Sequence, residues 1–169
     1  MKYFLIVLLF ISSIATGEYN RDDWGDWSKS CFSTRDIVLL RDSEKKVHIV
    51  NCKVEHGWWV SPYDQKIFMY PAGIDIDHIV PLKYAHDHGA ANWSVDKKLK
   101  FANDLDNLLS TSASSNRSKG DKSPFRWMPP NKQYWCTYLN KWNFIIHKYG
   151  LKQDPLESSY ISNQLKGCK

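Results

Sequence analysis

No C-x-x-C pair occurs among the four cysteines of this 169-residue sequence, so the ligand spacing of common structural zinc sites is missing. Long hydrophobic runs are scarce as well. The main one, Tyr3 to Ile14, falls short of the ~20 residues an ordinary membrane span requires. It follows Lys2 and precedes the small residues Ala15, Thr16 and Gly17, a pattern that predicts a secretory signal peptide over residues 1–17. No cysteine stands at the start of the remaining chain, so no lipid anchor is expected. Repeats, long low-complexity tracts and Pro/Gly-rich linkers are absent too, and residues 18–169 are expected to form one domain, secreted or periplasmic, with no membrane association.

What is present is a mild excess of positive charge, +5 at pH 7, which suits a polyanionic partner without requiring one. Cys31, Cys52, Cys136 and Cys168 all lie in the exported part, where an oxidising compartment favours disulfides. Three pairings are possible. Cys31 with Cys52 and Cys136 with Cys168 are favoured, because each would close a local unit, an N-terminal helix onto a strand and the last helix onto the one before it.

The element pattern reads as α+β, with strands in the first half and helices in the second. Trp24 and Trp27 mark an irregular N-terminal arm, and "STRDIVLLRD" predicts a short helix capped by Ser33 or Thr34. "KVHIVNCKV" followed by the turn "EHG" and "WWVSPYD" predicts a hairpin, and "KIFMY" a further short strand. Two helices are expected between Pro81 and Asp104, the second capped by Ser94, then a strand at "NLLST" and a short helix ending at Gly120. Trp135, Leu139, Trp142, Ile146 and Tyr149 recur at helical spacing before Gly150, and Asp154, Pro155 and Glu157 read as a capping box opening a last helix.

Within this pattern the run "IDIDHIV" is unusual. Charged groups are costly to bury and add nothing to a sheet, yet Asp75, Asp77 and His78 sit among isoleucines that supply the core contacts. Alternation puts the two aspartates on one face and His78 on the other unless the strand ends there. Asn107 opens the later strand, and Asn116 stands at the start of a basic helix, "NRSKGDK". Strand, long connection, strand and helix, carrying Asp-His and then Asn, is a rarer combination than either piece alone.

The segments "DIDHIVPLKYAHDHGAANW", "FANDLDNLLSTSASSNRSKGDKSPFRWMPPN" and "CTYLNKWNFIIHKYGL" resemble the HNH branch of the ββα-metal (His-Me finger) nucleases, in particular a secreted bacterial HNH endonuclease family. Matching pieces occur upstream in "YNRDDWGDW", "STRDIVLLRD" and "WWVSPYDQK". The HNH domain of RNA-guided CRISPR effectors resembles the same pattern over this core alone. The resemblance implies a ββα-metal core in which Asp77 and Asn116 are metal ligands, His78 is the general base, and Asn107 fixes the loop and the imidazole. It also implies one Mg²⁺, or another divalent cation such as Mn²⁺, and endonuclease action on DNA, and on RNA as a second substrate, with little sequence choice. Asn replaces the third letter of the family name, and its carbonyl oxygen suits a hard cation better than zinc.

Around this core, Arg117, Lys119 and Lys122 are expected to hold backbone phosphates, with Lys97, Lys98 and Lys100 as an extension of the track. Asp75 is assigned to support of the metal site, Trp127 to packing over the basic helix, and a monomer is expected. His86 and His88 form an H-x-H pair outside the family pattern. Two sequons, "NWS" at Asn92 and "NRS" at Asn116, match the glycosylation acceptor. A glycan on Asn116 would block the metal site, which favours a bacterial source. The alternatives are a non-catalytic secreted module that binds polyanions, and a zinc hydrolase built on His78, His86 and His88.

Overall fold

The computed structural model describes residues 17–27 and 30–168. The signal-peptide expectation falls almost wholly on residues 1–16 and lies outside them. After a 3-10 turn, Arg21–Trp24, the chain forms α1 (Thr34–Asp42), β1 (His48–Val50), β2 (Lys53–His56), β3 (Trp59–Val60), β4 (Ile67–Phe68) and β5 (Ile74–His78). Next come α2 (Leu82–Ala85), which widens into a π turn at His86–Ala90, α3 (Val95–Ala102), β6 (Leu108–Ser112) and α4 (Ala113–Lys119). Two longer helices, α5 (Trp135–Tyr149) and α6 (Pro155–Lys166), end the fold. The α+β class is as expected, and both disulfides are the favoured ones, Cys31–Cys52 and Cys136–Cys168.

The strands form three separate antiparallel pairs, β1 with β2, β3 with β4 and β5 with β6. Here the expected hairpin is corrected. β1 and β2 fold on each other about Asn51 and Cys52, whose φ angles of 48° and 63° lie in the left-handed region that tight hairpin turns use. "EHG" instead links two hairpins. Gly57 is required there because a Cβ would lie 2.4 Å from the Trp59 ring. "WWV" then pairs with "KIF", and the polar loop between them runs from Ser61 to Lys66.

Two apolar clusters hold these pieces. The larger gathers Tyr138, Leu139, Trp142, Ile145 and Ile146 of α5 against Ile79, Val80, Tyr84, Phe101 and the arm residue Trp24. The smaller packs Val38 and Leu39 of α1 on Val54, Trp59, Ile74, Ile76 and Leu108. Removing such side chains from water supplies the main driving force. Ser33 caps α1 in a box with Asp36, whose other oxygen accepts from Val54 N at 3.3 Å.

The same helix clamps β5 and β6. Arg35 donates to the carbonyls of Pro71 and Ile74 at 3.1 and 2.9 Å, while Arg41 donates to those of Leu105 and Leu108 at 2.6 and 2.7 Å. Asp42 accepts from Ser110 N at 2.8 Å. At the other end, Asp154 caps α6 through Leu156 N, but no box forms. Glu157 turns away to accept from Tyr84 and Ser123, contacts that satisfy a partly buried carboxylate better than an exposed backbone amide would.

Candidate active site

β5 and β6 pair in a register that sets Asp77 opposite Leu109 and His78 opposite Leu108. β6 runs directly into α4, because Ser112 ends the strand and caps the helix by accepting from Ser115 N at 3.2 Å. The β–β–α order therefore brings Asp77, His78 and Asn116 to one cleft of about 250 Å³. Tyr19, Arg21 and Lys83 also line it.

Asp77 is 5% exposed, and each of its oxygens accepts a hydrogen bond. Its Oδ2 accepts from the Tyr63 hydroxyl at 2.6 Å and its Oδ1 from Lys119 Nζ at 2.9 Å. The same ammonium donates to the carbonyl of His78 at 2.8 Å. Burial pushes the Asp77 carboxyl up, against the opposing pull of Lys119 and the Tyr63 hydrogen bond. Burial likewise pushes the Lys119 ammonium down, opposed by Asp77. Tyr63 is raised well above its ordinary value by burial and then by Asp77, which keeps it a hydrogen-bond donor.

His78 Nε2 lies 2.8 Å from the carbonyl of Ala102, an atom that only accepts, so Nε2 carries the proton and Nδ1 keeps its lone pair. Burial lowers this imidazole from 6.5 to about 4, the Ala102 bond opposes that, and the charges of Lys119 and Arg21 lower it further. It is neutral at pH 7.

Asn107 has no exposed surface, and its side chain brackets a single residue beyond His78. Its Oδ1 accepts from Val80 N at 2.8 Å and its Nδ2 donates to Val80 O at 3.1 Å. Its backbone carbonyl takes Ile79 N at 2.8 Å. The loop that follows the histidine is thereby fixed on both edges. Asn116 donates Nδ2 to Asp75 Oδ2 at 3.1 Å, which leaves Oδ1 as its acceptor.

The basic set divides. Arg117 and Lys122 are exposed on and after α4, with Lys122 Nζ 2.6 Å from the carbonyl of Ser118. Lys119 is corrected: with no exposed surface and its ammonium bonded inward, it cannot lie on a phosphate track. Its place one helical turn after Ser115 points it under the strand. Lys98 is buried beside Asp23 of the arm at 3.5 Å, while Lys97 covers the Trp93 ring at 4.0 Å just before its own helix. Trp127 donates to Ser118 at 3.2 Å and packs on Tyr63.

His86 is buried with Nε2 2.9 Å from the carbonyl of Gly17, while His88 stacks on Tyr84 at 3.7 Å. Neither shares a partner with His78. Among the described residues no group of three or more His, Cys, Asp or Glu side chains is placed to hold a metal. Sequence reasoning gave no role to Tyr63, Arg21 or Lys83, although each falls within a segment that carries the family resemblance.

The family of GmrSD restriction endonucleases, C-terminal domain, matches residues 34–161. The chain belongs to the GmrSD C-terminal domain family. That span contains Tyr63, Asp75, Asp77, His78, Asn107, Asn116 and Lys119, so every member of the strand–helix side of the cleft lies inside the GmrSD segment. Membership places the chain in a nuclease family, with nucleic acid as the substrate class. A curated relative, an "Uncharacterized secreted protein" of Arthroderma benhamiae, is 37% identical over 155 residues, covering 89% of this chain and 76% of that one. It is fungal, and so lends no support to the bacterial source argued from the Asn116 sequon. No solved structure matches the chain.

Proposed function

We propose that this GmrSD-family chain is a secreted, metal-dependent endonuclease of the HNH type that hydrolyses phosphodiester bonds in DNA, and RNA as a second substrate. The observation that carries the reading is the arrangement of His78. Its Nε2 is held by a backbone carbonyl, the loop behind it is bracketed by Asn107, and the ring lines the cleft that Asp77 and Asn116 also line, with no hydrogen bond to Nδ1 among the described residues. A neutral imidazole with one free nitrogen can take a proton from an attacking water. Secretion agrees with the two disulfides and with the description of the fungal relative.

The donor chemistry fits a hard dication, since Asp77 offers carboxylate oxygens and Asn116 an amide oxygen left unused by its bond to Asp75. Those two residues would hold Mg²⁺ or Mn²⁺, and the ion would stabilise charge on the phosphate and the departing oxygen. Lys119 and Tyr63 hold Asp77 in one orientation, and Asp75 does the same for Asn116. Arg117 and Lys122 supply exposed charge for neighbouring phosphates, contributing salt-sensitive affinity and little sequence choice.

The test is supercoiled plasmid incubated with the oxidised protein and Mg²⁺, beside an EDTA control and His78→Ala. Relaxation and fragmentation are expected, abolished by EDTA and slowed about 100- to 10,000-fold by the substitution, the range for loss of a general base. Plasmid that is retarded in the gel but never cut would mean a polyanion-binding module instead. Cleavage that survives His78→Ala would move the site elsewhere.

A further inference from the structure

The cleft that holds His78 is lined in part by Tyr19 and Arg21 of the N-terminal arm, which lies before the span matched by the family. Arg21 begins a turn that ends at Trp24, and Trp24 is fully buried against Trp93 and Phe101 at ring distances of 6.3 and 5.6 Å. A second pin holds the arm further back, where Tyr19 meets the buried His86 edge-on at 5.5 Å. The arm is thus anchored through its apolar residues while the Arg21 side chain remains exposed at the cleft.

Arg21 commits one donor, from Nη1 to the Gly25 carbonyl at 3.1 Å, and no carboxylate pairs with it among the described residues. The residue lines the cleft, and its charge acts on the His78 imidazole. Lys83 reaches the same cleft from α2, tempered by its pair with Asp87 at 2.6 Å. The cleft's carboxylates, Asp77 and Asp121, belong to the strand and helix side. Arg21 and Lys83 thus bring two cations to the cleft that His78 and Asn116 also line.

We propose that Arg21, assisted by Lys83, forms a phosphate-binding site that seats the scissile phosphodiester against His78, making the N-terminal arm part of the substrate site. The inference rests on the nuclease reading of the same cleft. Arginine suits the task because its planar fork can bond two non-bridging oxygens of one phosphate, which an ammonium cannot do in the same way. Because the contact is to a single phosphate, it is made to a short diester as well as to a polymer.

Two measurements on the disulfide-bonded protein test this. The first is binding of a fluorescent DNA oligonucleotide in EDTA across a salt series, for the unaltered chain, Arg21→Gln, Arg21→Lys and, as a control, Lys141→Gln on an exposed face of α5. Arg21→Gln is expected to raise Kd about tenfold or more and to reduce the salt slope by about one. Arg21→Lys recovers most of the slope but not all of the affinity, and Lys141→Gln changes neither.

The second is hydrolysis of bis(p-nitrophenyl) phosphate with Mg²⁺, where Arg21→Gln lowers kcat/KM about tenfold or more. Unchanged Kd and slope in Arg21→Gln would overturn the proposal whether or not the protein cuts DNA. So would an equal loss in Arg21→Lys accompanied by a lower thermal midpoint, since that would mean the arm had merely come loose. A protein that cuts nothing, yet loses a unit of salt slope with Arg21→Gln, would keep the phosphate site and overturn the nuclease reading.

Discussion

At the scale of single residues, the site works by taking freedom away from a few polar groups. Asn107 is satisfied on both sides by one backbone residue, Val80, so the loop beyond His78 has no second arrangement of equal energy. His78 in turn shows the cost of its setting. The unfolded chain protonates this ring below its ordinary 6.5, whereas the folded chain does so only near 4. Stability is therefore full above pH 6.5 and falls as pH drops toward 4, with His78 responsible for at most about 3 kcal/mol of the loss. His78→Gln should flatten the dependence of the urea midpoint on pH across that window. Parallel curves for the two proteins would show that the ring is not protected in this way. The aspartate and the histidine were legible as a pair in the sequence, but Tyr63 and Lys119 were not, because they reach Asp77 from outside the strand that carries it.

The elements themselves were read with uneven success, and the failures have a common cause. Helices with their own punctuation were legible: Ser94 caps α3, Ser33 caps α1, and Gly150 ends α5 at φ 64°. Gly150 accepts that conformation because it has no Cβ, and nothing lies within 4 Å of where one would be. Gly150→Ala should cost about 1 kcal/mol through backbone strain alone, lowering the thermal midpoint by about 2–4 °C and leaving DNA cleavage at lower temperature unchanged. A midpoint that does not move would mean α5 ends without its left-handed cap. Strand pairing was harder. The short strands "KVHIV", "WWV" and "KIF" have no intrinsic partner, and the choice of hairpin turned on Asn51 and Cys52 adopting positive φ, which the disulfide partner of Cys52 does not announce.

For the whole molecule, the two apolar clusters meet along β5 and the residues just after it: Ile74 and Ile76 belong to one, Ile79 and Val80 to the other. The candidate site thus sits where two packed units join, with α1 clamping the strands and α5 packing on the residues of the loop. The covalent links lie at the periphery of this arrangement. Cys136–Cys168 ties α5 to the end of α6 across 32 residues. Replacing both cysteines by serine should destabilise the protein by about 3–4 kcal/mol through the larger entropy of the unfolded chain. Plasmid cleavage well below the new thermal midpoint should persist, because neither cysteine approaches the cleft. Loss of cleavage in a variant still folded at the assay temperature would mean that α6 supports the site directly, through the Glu157 contacts to Tyr84 and Ser123.

The α+β class, most helix ends and the favoured cysteine pairs were readable from the sequence alone, which also offered candidate residues for phosphodiester chemistry. These are local properties, set by caps, periodicity and side-chain type over a few positions. Only in the folded chain does Lys119 face inward to Asp77, Glu157 leave its helix end for Tyr84 and Ser123, and Arg21 line the same cleft as His78. Each of those depends on groups far apart in the chain meeting in a medium poor in water, where an unpaired charge is costly and a distant partner is worth reaching.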